Sequence, residues 1–73
     1  MVYNIFMEKF ADRLKELRIE KGLSIQALAK VIKIGSSSLC RWENCQADIK
    51  GTQLIILAKY FNVTTDYLLG LED

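Results

Sequence analysis

Seventy-three residues, 51% hydrophobic and 26% charged, describe one small globular domain rather than a disordered tract or a membrane protein. A chain of this size buries only about 60% of the surface it exposes when unfolded, so every core position matters. The net charge of +1 decides nothing by itself, and two cysteines without a histidine supply neither a disulfide framework nor a zinc site.

Residues 1–7, MVYNIFM, are apolar but carry no positive flank and are too short for a signal core or a membrane span. They read as an N-terminal arm or extension, either a strand-like segment packed on its own domain or a partner, or a disordered one. The domain proper is expected over 8–70, with 71–73 as a tail. The first helix is predicted from Glu8 to Lys21, with Phe10, Leu14 and Leu17 inside and Asp12, Lys15, Glu16 and Glu20 on a mixed, solvated face. Gly22 then stops it as a left-handed residue just past the helix end.

Ile25, Leu28, Ala29 and Ile32 recur at i, i+3, i+4, i+7 and predict a second helix with one apolar stripe. Ser24 stands ahead of it and can cap a first-turn N–H, worth about 1 kcal/mol. Lys33-Ile34-Gly35 is too short to be a linker, so a third helix must pack on the second at a sharp angle. That is a helix-turn-helix arrangement. In the third helix Leu39 and Trp42 share one side, while Ser36, Ser37, Cys40, Arg41 and Asn44 are left for the other, a polar face without acid. Cys40 and Cys45 lie about 140° apart around a helix, so both thiols are expected to stay reduced, as suits the cytoplasm.

A loop follows through Lys50, and Leu54, Leu57, Ala58 and Phe61 then mark the inward face of a fourth helix. Ile56 falls opposite that stripe, either as an isolated exposed residue or as part of a subunit contact. Thr64 or Thr65 caps a last short helix in which Leu68 points inward. No glycine-rich phosphate loop and no carboxylate pair beside a nucleophile is present, so no catalytic residue, metal or cofactor is expected.

The ordered set Leu23-Ser24, Leu28-Ala29, Ile34, Ser37, Leu39 and Arg41-Trp42-Glu43-Asn44 resembles the Cro and phage-repressor type of helix-turn-helix, the XRE family. The likeness runs from about Phe10 to Leu69 and takes in the closing Thr64-Thr65-Asp66-Tyr67-Leu68-Leu69-Gly70. It implies an all-α, five-helix, lambda-repressor-like DNA-binding domain with the helix-turn-helix at helices 2 and 3. The function implied is sequence-specific binding of double-stranded DNA by a transcriptional regulator of the repressor kind, a homodimer on a near-palindromic operator. No membrane and no small-molecule ligand is implied.

By position within the motif, Ser36, Ser37 and Arg41 are the base-reading candidates, with Cys40 at the edge of that face. The plain alternative for each serine is a helix-start residue satisfying backbone donors. Gln26, Lys33 and Asn44 are the phosphate-binding candidates, and Arg18 and Glu43 occupy positions that form an ion pair in similar domains. Three departures stand out. Ile25 replaces the usual phosphate-binding glutamine. Lys33 replaces the usual left-handed glycine of the turn, at a cost of about 1 kcal/mol unless Gly35 redistributes the turn and caps the third helix. Cys45, Gln46 and Asp48 replace a glycine followed by basic residues.

From Lys21 to Lys50, Lys21, Lys30, Lys33, Arg41 and Lys50 face only Glu43 and Asp48, whereas the segment from Lys59 on is acidic. A basic middle suits a phosphate-bearing partner, although a solvated helical surface has the same composition. The competing function is a protein–protein interaction module on the same scaffold with no DNA site. Ile56, Tyr60 and the apolar residues Val2, Tyr3, Ile5 and Phe6 are the expected surplus hydrophobic surface, and so the dimer candidates.

Overall fold

The computed structural model describes residues 5–72, with side chains from Met7 onward. Within that range lie five α-helices, α1 (Ile5–Glu20), α2 (Ile25–Ile32), α3 (Ser36–Glu43), α4 (Gly51–Phe61) and α5 (Thr65–Leu68). The chain is all-α, as its periodicity and its likeness to repressors imply.

Every helix sends at least one fully buried side chain into a single core: Phe10 and Leu14 from α1, Leu28 from α2, Leu39 from α3, Leu57 from α4 and Leu68 from α5. These are the positions that a 3.6-residue period turns inward. Between α1 and α3 the Phe10 and Trp42 rings meet edge to face, centroids 6.3 Å apart, an arrangement that ring quadrupoles favour. Contacts run from α1 to α3 and α5, and from α2 to α3 and α4. The α2–α3 pair is therefore braced by α1 on one member and α4 on the other.

Helix α1 begins at Ile5, earlier than the expected Glu8. Met7, Phe10, Ala11 and Leu14 are all buried, and their i, i+3, i+4, i+7 spacing carries the helix back into the apolar N-terminal run. Residues 5–7 are thus helical rather than strand-like or disordered. The remainder of the expected arm, with Val2 and Tyr3, falls outside the described residues, as do the side chains of Ile5 and Phe6.

All five helices close in the same way. A left-handed residue follows each last turn, namely Gly22, Lys33, Cys45, Asn62 and Gly70. The next N–H then reaches back to an earlier carbonyl: Leu23 to Arg18, Ile34 to Ala29, Gln46 to Arg41, Val63 to Ala58 and Leu71 to Asp66. This is the Schellman closure, which satisfies carbonyls a helix end leaves unpaired. Lys33 adopts the left-handed conformation itself (φ 61°, ψ 39°). The turn is thus not redistributed, although Gly35 does serve, as expected, as the N-cap of α3 (φ −59°, ψ 140°). Cys45 (φ 57°) likewise keeps the backbone of the glycine it replaces.

The surplus apolar surface differs from expectation. Tyr60 is half-buried, its ring meeting Phe61 with centroids 5.0 Å apart and lying 5.0 Å from the Lys21 ammonium. Ile19 (58%), Leu71 (57%), Val31 (53%) and Ile55 (49%) are all more exposed than Ile56 (41%). Exposed apolar surface is therefore spread over α1, α2, α4 and the tail rather than confined to Ile56, Tyr60 and the N-terminal segment.

Candidate nucleic-acid interface

Two local devices set the pose of α2 and α3. Ser24 has extended backbone (φ −75°, ψ 167°), and its hydroxyl accepts the Ala27 N–H at 3.0 Å, which fixes where α2 starts. Arg18, on the last turn of α1, donates from Nε to Glu43 Oε2 at 2.7 Å and from Nη2 to Glu43 Oε1 at 3.0 Å. Its Nη1 donates to the Leu23 carbonyl at 2.8 Å. One guanidinium thereby joins α1 to the end of α3 and to the residue ahead of the α2 cap.

The two side chains of this pair are only 13% and 5% exposed. The hydrogen bond to Glu43 raises the Arg18 pKa, the carboxylate charge adds to the rise, and burial opposes it. A raised guanidinium pKa contributes stability that is fully present through the neutral range and is lost only in strong base.

Ser24, Ile25 and Gln26 at the start of α2 face Ser36, Ser37 and Cys40 of α3 across a shallow groove of about 440 Å³, with Arg18 also on its wall. On α3 itself Leu39 and Trp42 are buried, while Ser36, Ser37, Cys40, Arg41 and Asn44 are exposed. At 100° per residue those five cover an arc of about 140°. Ser36 and Cys40 form its groove edge, and Arg41 lies at the far edge.

The Arg41 side chain has no hydrogen-bond or ion-pair partner among the described residues. No side chain caps α3, because its N-cap is Gly35. Asn44 Nδ2 donates to the Cys40 carbonyl at 2.9 Å, so part of its amide is folded back on its own helix. Gln26 and Lys33 are exposed at the start and end of α2. Both cysteines are free. Among the described residues no cluster of acids and thiols could hold a metal ion, and no helix is long and apolar enough to cross a membrane.

Residues 14–68, well over half of the chain, match the Helix-turn-helix family. The chain belongs to that family. It is 36% identical over 61 residues to the HTH-type transcriptional regulator ImmR of Bacillus subtilis (strain 168), covering 84% of this chain and 48% of that protein. To a second, uncharacterized HTH-type transcriptional regulator of the same organism, YobD, it is 36% identical over 64 residues, covering 88% of this chain and 57% of the relative. It is also 29% identical over 65 residues to the HTH-type transcriptional activator BcrR of Enterococcus faecalis, covering 89% of this chain and 32% of that protein. The chain thus spans about half or less of the length of these relatives.

The fold is similar to that of the restriction-modification controller protein C.AhdI from Aeromonas hydrophila. The TM-score is 0.79 at 29% identity, covering 89% of this chain and 98% of the other.

Within this helix-turn-helix domain, the groove gathers Gln26, Ser36, Ser37 and Cys40 from among the expected site residues but not Arg41, Lys33 or Asn44. It also gathers Ile25 and Arg18, which sequence patterning places in the core stripe and the scaffold. The signal for Ile25 was its departure from the family's usual glutamine. For Arg18 there was none beyond the ion pair, because a wall shared between two roles appears only once α1, α2 and α3 are packed.

Proposed function

We propose that this domain binds double-stranded DNA sequence-specifically as a transcriptional regulator, with α3 in the major groove. The observation that carries the reading is the polar, acid-free arc of α3, turned outward by a part-buried ion pair and by Leu39 and Trp42 behind it. A recognition helix enters the major groove with its first turns toward the base edges. On that docking Ser36, Ser37, Cys40 and Arg41 face the bases, and the Arg41 guanidinium is free to fork onto guanine O6 and N7. Gln26, Lys33 and Asn44 hold the backbone.

The names of the relatives support regulation of transcription. Repression is the role that occupancy of a promoter performs without further parts, and the cytoplasm is where such a target is met. No catalytic role is proposed.

One α3 offers few base contacts, so we take the working form to be a two-fold dimer on a near-palindromic site. Sedimentation of the protein on its full operator should give two copies per duplex; a single copy removes the dimer.

Affinity measured against salt tests the reading itself. Binding to duplex DNA should weaken linearly on a log–log plot as counterions are released. A salt-insensitive interaction with protein partners, and none with DNA, would favour the interaction-module alternative.

Lys33→Gly offers a second check. Relief of the left-handed strain, less the greater unfolded-state freedom of glycine, should raise stability by no more than about 0.6 kcal/mol. The lost cation should at the same time lower DNA affinity and shallow the salt slope by about one unit. Unfolding and binding curves of the variant separate the two effects.

A further inference from the structure

We infer that the groove between α2 and α3 seats the 5-methyl group of a pyrimidine, thymine in unmodified DNA, and that Ile25 and Cys40 discriminate it. This rests on the docking of α3 proposed above. The groove lies against the start of α3, where that docking brings base edges, and one apolar side chain, Ile25, stands among its otherwise mostly polar lining. Ile25 packs part of its side chain on the core and presents the rest to the groove. Cys40 adds an exposed, polarizable thiol across from it.

The remaining α3 lining, Ser36 and Ser37, carries short hydroxyls that reach only what comes close. Arg18 is held on the groove wall rather than extended toward a base, since Nε, Nη1 and Nη2 each give one hydrogen bond to Glu43 or the Leu23 carbonyl and the side chain is only 13% exposed. Arg41, the long donor of α3, lies off the groove. One aliphatic side chain and a thiol beside short hydroxyls suit a small apolar group on an otherwise polar edge. In the major groove the group of that description is the thymine methyl, which no other standard base carries.

Burying one methyl is worth roughly a four-fold change in affinity. The test takes the duplex selected by the protein from random sequences and replaces each thymine by uracil in turn, which removes the methyl and leaves every hydrogen-bonding group. One position per half-site should lose about four-fold in affinity on that replacement. Ile25→Ala should shrink the thymine-to-uracil ratio at that position while leaving the salt slope unchanged. Cys40→Ser, at an exposed position, should do the same in part, and keeps the test open should Ile25→Ala fail to fold.

A protein that binds its selected duplex in a salt-dependent way yet is indifferent to every such replacement overturns the inference. So does a full uracil penalty in both variants. Absence of binding to any duplex would instead defeat the DNA-binding reading itself, and this inference with it.

Discussion

Arg18→Ala should destabilise the domain by about 3–5 kcal/mol, because it leaves the Glu43 carboxylate uncompensated in a site that water hardly reaches. The Glu43 side chain is 5% exposed, and two of the guanidinium N–H groups that satisfy it come from Arg18. The same change frees the Leu23 carbonyl, so the turn ahead of the α2 cap loosens as well. At roughly 0.05–0.15 kcal/mol per residue a chain of this length holds about 4–11 kcal/mol in all, so such a loss removes a large share of its stability.

Urea unfolding followed by Trp42 fluorescence measures it directly, since the chain has a single tryptophan. Replacing both partners by apolar residues, Arg18→Met with Glu43→Leu, should recover most of the loss, because the penalty lies in the stranded charge rather than in the missing attraction. A cost below about 1 kcal/mol for Arg18→Ala would class the pair with solvent-exposed ones and remove it as the device that poses α3.

Trp42→Ala should cost a further-reaching 3–5 kcal/mol, about the usual range for deleting a large buried aromatic. Trp42 is 3% exposed and meets Phe10 edge to face, so the deletion empties the seam between α1 and α3. It also removes one of the two apolar residues, with Leu39, that hold α3 from behind. Circular dichroism during heating should show a broad, low-temperature transition, and DNA binding should fail with the fold. A cooperative transition close to that of the parent would mean that α3 is held by its turn and ion pair alone.

Much of the scaffold was legible because a single helical period governs it. Leu28, Leu39, Leu57 and Leu68 each sit where that period turns a side chain inward, and each is fully buried. The start of α1 lies earlier than its charged residues suggest, because Met7 is in phase with Phe10 and Leu14 and extends the helix into the apolar N-terminal run. Helix ends were legible where glycine marked them. Lys33 and Cys45 hide theirs, since the left-handed backbone is imposed by the closure bonds from Ile34 and Gln46 rather than announced by residue type.

At the site, periodicity correctly turned Ser36, Ser37, Cys40, Arg41 and Asn44 outward. It could not show that Asn44 folds back on Cys40, or that Ile25 and Arg18 line the wall beside the serines, because those are relations between helices and rotamers. Tyr60 is half-buried, with its ring beside the Lys21 ammonium from just past α1, a contact between distant parts of the chain that no local spacing reveals.

Base discrimination by Arg41 tests the central claim, that the outward arc of α3 reads DNA, most directly. The measurement is the affinity of the parent, Arg41→Ala and Asn44→Ala for the selected operator and its single-base variants at several salt concentrations. Arg41→Ala should relax the preference at one base pair of each half-site by about 1–3 kcal/mol and shallow the salt slope by at most about one unit. Asn44→Ala should weaken all sequences nearly alike and leave the slope unchanged, because it carries no charge. Equal weakening of every variant by Arg41→Ala would make Arg41 a phosphate clamp and place the reading face elsewhere, and no effect of either substitution would contradict DNA reading by α3 altogether.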